Sequence, residues 1–184
     1  MKITSGKYKF RNIEVPKGIR PTTGKVREAV FSMIAQWLPE AEVLDLFAGS
    51  GAMGLEALSR GAARCTFVEA DRRNMKVLQG NIHNCEAEGL SRVIGGDYAS
   101  AIERMAGDRQ KPVFDVVILD PPYDRVEYYG TALDLLQKNG LIGESCIVIC
   151  EHLYDNKLLD TYGNLQKIKE KKYGTIGVDA FTVL

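Results

Sequence analysis

Between residues 43 and 150 the hydrophobic positions switch repeatedly between two periods. The short apolar runs at 43–47, 64–69, 92–96, 113–119 (VFDVVIL) and 146–150 (CIVIC) predict buried strands. Between them, 52–59 (closed by Gly61), 72 to about 87, 100–105 and 126–137 carry helical spacing. Such alternation predicts an α/β fold, with a mostly parallel sheet covered on both faces. The two ends depart from it. Over residues 1–20, Ile3, Tyr8, Phe10, Ile13 and Val15, broken by Gly6 and Pro16-Lys17-Gly18, predict short strands. Val26, Ala29, Val30, Met33, Ile34 and Trp37 share one helical face, after a cap at Thr22 or Thr23 and before Pro39. Segments 165–172 and 175–184 flank Tyr173-Gly174 and predict an antiparallel hairpin at the sheet edge.

A chain of 184 residues suits one core, and 45% hydrophobic with 26% charged residues is ordinary for a globular protein. No apolar run approaches a membrane-spanning length, and residues 1–20 hold no signal-like apolar stretch. A cytoplasmic protein with no membrane partner is the expectation. Cys65, Cys85, Cys146 and Cys150 form no C-x-x-C pair, and His83 and His152 stand far apart. Reduced structural thiols are expected, and no metal, since His83 with Cys85 is too sparse a ligand set.

Net charge is zero, but its distribution is uneven. Residues 1–30 carry Lys2, Lys7, Lys9, Arg11, Lys17, Arg20, Lys25 and Arg27 against only Glu14 and Glu28. A basic arm on an acidic body suits a polyanion, although a merely solvated lysine-rich extension would look the same.

Two loops carry candidate chemistry. Asp45-Leu46-Phe47-Ala48-Gly49-Ser50-Gly51 leaves the first strand and opens a helix, and Gly49, Gly51 and Gly54 satisfy G-x-G-x-x-G. Alone, that spacing also fits a dinucleotide. Asp45, inside the strand end, faces a pyrophosphate poorly but suits the cationic amino-acid end of S-adenosylmethionine. Glu69 ends the second strand about twenty residues on, where a carboxylate accepts ribose hydroxyls in either ligand class. Asp97 is placed to accept from an adenine amine, with Tyr98 beside the ring, or to cap the following helix. The second loop, Asp120-Pro121-Pro122-Tyr123, directly follows VFDVVIL. Its prolines end the strand and rigidify the backbone. A carboxylate, proline carbonyls and an aromatic ring together suit an exocyclic amine on a flat base. A plain turn is the competing reading.

The residues ITSGKY (3–8), RPTT (20–23), VREAVF (26–31), the LDLFAGSGAMGLEALSRGA loop, the FVEAD strand end and the DPPY corner together resemble the RsmD-type 16S rRNA (guanine-N2)-methyltransferase family over nearly the whole chain. The resemblance implies a Rossmann-like methyltransferase fold with a seven-stranded sheet, a basic N-terminal β-hairpin extension (1–22) and a methyltransferase domain (23–184). It implies S-adenosylmethionine as cofactor, held by Asp45, Phe47, Ala48, Gly49, Ser50, Gly51, Glu69, Asp97 and Tyr98. Asp120, Pro121, Pro122 and Tyr123 would hold the target guanine of ribosomal RNA, free or in an assembling small subunit. Lys7, Lys9, Arg11, Arg20, Lys25 and Arg27 would contact phosphates, with Arg20 alternatively reaching the cofactor cleft. An amine methyltransferase acting on adenine of RNA or DNA shares the DPPY corner. A nicotinamide-dependent oxidoreductase shares only the glycine loop.

Overall fold

The computed structural model describes residues 1–184. Each predicted apolar run of the central region is a strand: β1 Glu42–Asp45, β2 Arg64–Glu69, β3 Ser91–Gly95, β4 Phe114–Leu119 and β5 Ile142–Leu153. The helices are α1 Gly24–Met33, α2 Ala52–Ser59, α3 Arg72–Asn84, α4 Tyr98–Ala106 and α5 Glu127–Lys138. β6 Thr161–Tyr162, β7 Leu165–Tyr173 and β8 Ile176–Val183 close the chain. The sheet order is β3-β2-β1-β4-β5-β8-β7-β6, parallel from β3 to β5 and antiparallel beyond. The sheet therefore has eight strands rather than seven, because Thr161–Tyr162 adds a two-residue strand against β7.

Alternate residues of the central strands enter opposite cores. Val116, Ile118, Ile147 and Ile149 join the layer under α1, α2 and α3, while Val117, Leu119, Val148 and Cys150 join that under α4 and α5; Phe114 joins the latter across a register shift before Val116. Burial on both faces is why these strands read as continuous apolar runs rather than alternating ones. All four cysteines are buried free thiols.

The N-terminal segment departs from expectation. Only one bridge, Lys2 with Asn12, has strand pairing, supported by Ile3 N–H to Arg11 O and Phe10 N–H to Ile3 O. Ile3, Tyr8 and Ile13 bury into the α1–α3 core. The apolar spacing thus reports docking onto helices rather than extended strands. Fully buried Glu56 of α2 fastens the segment: it accepts from the Thr4 and Ser5 amides and pairs with Arg27 at 3.2 Å and Arg60 at 3.0 Å.

The helix predicted to run to Trp37 stops at Met33 and continues as a 3-10 turn, Ala35–Trp37. Thr23, not Thr22, caps α1 by accepting the Val26 N–H. Thr22 is thereby free to face the interior.

Candidate active site

β1 has β2 on one side and β4 on the other, so the crossovers diverge at the carboxyl ends of β1 and β4. Such a divergence opens a crevice at the strand ends. Here it is a cleft of about 510 Å³, a size usual for a small-molecule site. Its walls come from the ends of β1 to β4 and from residues 18–22 of the N-terminal segment.

Asp45 lies on the floor, 2% exposed, and accepts the Gly54 N–H at 3.0 Å. Burial pushes its carboxyl up to about 7 against that hydrogen bond, and the Glu69 charge adds to the rise. Gly54 must be glycine: a Cβ would sit 2.2 Å from Phe67 and 2.7 Å from Cys65, because α2 packs tightly on β2. Gly51 takes φ +80° as the N-cap of α2, a left-handed conformation that glycine adopts without strain. Phe47, Ala48, Gly49 and Ser50 line the cleft, whereas Gly51 stands behind it against Leu78. What the structure shows of Gly51 is its part in the turn that starts α2.

Glu69, at the end of β2, accepts the Gly49 and Asp71 amides, each at 2.8 Å, and ties the glycine loop to the start of α3. It also lines the cleft. Asp97 caps α4, accepting the Ser100 N–H and hydroxyl, which hold its carboxyl below the usual range. The cap does not remove Asp97 from the cleft wall. Tyr98 packs 5.4 Å from Phe47 and 4.8 Å from Tyr128. Tyr128 completes this aromatic wall from α5, a position carrying no motif in the sequence.

Asp120, Pro121, Pro122 and Tyr123 form the opposite wall. Enclosure raises the Asp120 carboxyl well above the ordinary range, and the charges of Glu151 and Asp45 add to it. Burial likewise raises the Tyr123 phenol, while the Arg20 charge opposes the rise. Glu151, at the end of β5, is 4% exposed and belongs to no motif of the sequence. It accepts from Thr22 Oγ1 at 2.8 Å and Tyr123 OH at 3.4 Å. Its one legible signal is a carboxylate closing the buried CIVIC run.

The basic residues divide. Arg20 is exposed on the cleft rim. Lys7, Lys9 and Lys25 are exposed. Arg11 is half-buried, its guanidinium engaged by Glu86 and the Asn84 carbonyl. Arg27 corrects the expectation: it is 2% exposed and locked to Glu56 and the Lys2 carbonyl, so it presents no charge to a phosphate. Lys7 bonds through its amide to Ser59, and Arg11 reaches Asn84, the far ends of helices that begin at the cleft. His83 pairs with Glu88 at 2.6 Å rather than facing Cys85, which is buried.

The family described as conserved hypothetical protein 95 matches residues 1–182. "Ribosomal RNA small subunit methyltransferase D" of Escherichia coli (strain K12) is 34% identical over 178 residues, covering 96% of this chain and 86% of that one. "Putative rRNA methyltransferase YlbH" of Bacillus subtilis (strain 168) is 33% identical over 180 residues, covering 97% and 96%. Among solved structures, "Putative methyltransferase yhhF from Escherichia coli" superimposes with a TM-score of 0.86 at 33% identity, over 100% of this chain and 97% of that one.

Proposed function

The chain belongs to the conserved hypothetical protein 95 family, and on that footing we propose that it is an S-adenosylmethionine-dependent methyltransferase modifying the 2-amino group of a guanine in small-subunit (16S) ribosomal RNA. The observation that carries the reading is the meeting of the glycine loop and the Asp120–Tyr123 corner across one cleft. The cleft fits the cofactor: a buried acid, Asp45, lies below the loop with no cation bonded to it, Glu69 ends the next strand, and Phe47 and Tyr98 offer apolar ring faces. Asp45 would take the cationic amino-acid end, Glu69 the ribose hydroxyls, and Asp97 with Tyr98 the adenine. When bound, S-adenosylmethionine supplies an electrophilic methyl group.

The chain's own residues prepare the nucleophile. An aryl amine is weak because its lone pair is delocalised; accepting its N–H bonds at Asp120 and a proline carbonyl would turn that lone pair toward the methyl. In its ionised form, a carboxyl whose proton affinity is raised in this way is also the stronger proton acceptor once the nitrogen becomes cationic. Tyr123 would stack on the base, its ring held by the bond from its hydroxyl to Glu151. Arg20, Lys7, Lys9 and Lys25 would meet phosphates, with residues 1–22 acting as an RNA-binding arm on the catalytic unit 23–184. Free rRNA and an assembling small subunit both present that chemistry.

Calorimetry should show S-adenosylmethionine binding and no NAD binding; the reverse would sink the reading. Fragment mapping by mass spectrometry of rRNA from a deletion strain should find one 16S guanine lacking its N2-methyl.

A further inference from the structure

On the functional reading above, we propose that Thr22 and Glu151 are positioning residues that draw a proton from Asp120 out of the cleft, through the Thr22 hydroxyl to the Glu151 carboxylate. Thr22 Oγ1 stands between the two acids, 2.8 Å from Glu151 Oε2 and 3.5 Å from Asp120 Oδ2. A hydroxyl has one proton and two acceptor lone pairs. Its single proton is shared between the two acids: donated to Glu151 at the shorter distance, it leaves the lone pairs toward Asp120 ready to receive a proton, and rotated, the same O–H donates to Asp120.

The surroundings suit a proton store better than a structural link. No lysine or arginine bonds to Glu151. The groups acting on it are the Thr22 and Tyr123 hydroxyls, His152 and the charge of Arg20, and its own charge acts on Asp120. His152 itself faces Asp179 at 3.3 Å. The Glu151 carbonyl accepts from Tyr129 OH, which fixes the strand end without touching the carboxylate. A buried carboxylate lacking a bonded cation is costly to keep, so a role in handling protons accounts for it where packing does not. Thr22 is available because the neighbouring Thr23 caps α1.

The proton balance is closed. Methyl transfer leaves the base nitrogen with one proton to lose, and its N–H bond breaks as Asp120 takes that proton. Asp120 passes a proton to Thr22 Oγ1 while the original Thr22 O–H proton moves to Glu151 Oε2. Asp120 ends as a carboxylate, Thr22 as a hydroxyl and Glu151 as a carboxylic acid, with no further reactant.

The test uses the full chain with Thr22→Val, Thr22→Ser and Glu151→Gln. In the free protein, carbon-13 NMR of the carboxyls should show the Asp120 midpoint moving down in Glu151→Gln, which removes a like charge, and up in Thr22→Val, which removes a donor. In single-turnover transfer to 16S rRNA, Thr22→Val and Glu151→Gln should slow the step by about tenfold or more. Cofactor affinity should stay within about twofold, and Thr22→Ser should recover most of the rate. An Asp120 midpoint that neither variant moves, or a Thr22→Val rate and pH profile equal to wild type, would overturn the relay. Equal losses in Thr22→Ser and Thr22→Val would do the same. If the unaltered chain fails to methylate any RNA, the functional reading falls, while the NMR titration still decides the coupling.

Discussion

Two sets of carboxylates are buried or half-buried in this molecule, and their surroundings are opposite. Glu56 has two guanidinium partners, Arg27 and Arg60, and takes two amides of the N-terminal segment besides. Asp45, Asp120 and Glu151 have no bonded cation, and burial pushes all three up, with like charge adding to the rise at Asp45 and Asp120. The first arrangement is a clasp that satisfies its own charge. The second leaves its acids without a cation, so each holds a proton more tightly, at the strand divergence where a ligand enters. A paired buried acid holds a fold together; an unpaired one anticipates chemistry.

The sharpest way to break the comparison is Glu56→Ala, which strands the Arg27 guanidinium in the core. Loss of one partner of a buried pair costs roughly 3–5 kcal/mol. The melting temperature should fall by roughly 10 °C in calorimetry. A fall no larger than for a surface substitution would show that the clasp is not structural.

Asp120→Ala should leave the fold intact and act on chemistry alone. Methyl transfer should drop by at least about a hundredfold, with S-adenosylmethionine binding by calorimetry little changed. Full activity would remove Asp120 from the reaction.

Asp45 tests the sign. Its folded-state value near 7 lies above that of an unfolded carboxyl, so the native state holds a proton that the unfolded chain has released. Its contribution to stability is present at low pH and is lost as pH rises through about 7. Asp45→Asn should therefore melt higher than wild type at pH 8, by an amount that vanishes below the carboxylate range. The same variant should lose affinity for S-adenosylmethionine, and wild-type affinity should rise as pH climbs through about 7. A wild-type affinity flat across that range would mean that Asp45 does not meet the cationic end.

The smallest effect is expected at the arm. Lys9→Glu should weaken RNA binding a few-fold and make its salt dependence shallower by about one unit of slope, the share of a single neutralised phosphate. Arg27→Lys should leave that slope unchanged, since Arg27 faces Glu56 rather than solvent. A slope altered by Arg27 but not by Lys9 would reverse this assignment.

Much of the architecture is legible in the sequence because the strands are buried on both faces. Residues 113–119 and 146–150 could be little else: β4 takes 114–119 and β5 contains 146–150. Asp45, Glu69, Asp97 and the Asp120–Tyr123 corner are legible as well, since each sits at or just after a strand end, and strand ends converge in a parallel sheet. The N-terminal segment reads falsely as strands because Ile3, Tyr8 and Ile13 answer to α1, α2 and α3, which local periodicity does not report. β6 escapes a sequence reading because two residues carry no period at all.

The sequence by itself determined where the chain turns, which runs are buried and which loops carry acids, because propensity, period and glycine or proline placement act locally. Tertiary structure alone decided which charges are spent and which remain. It sent Arg27 inward to Glu56, left Arg20 on the cleft rim, and set Glu151 beside Thr22 across 129 positions of chain. Electrostatic and hydrogen-bond energies depend on distance through space, and only the folded chain fixes those distances.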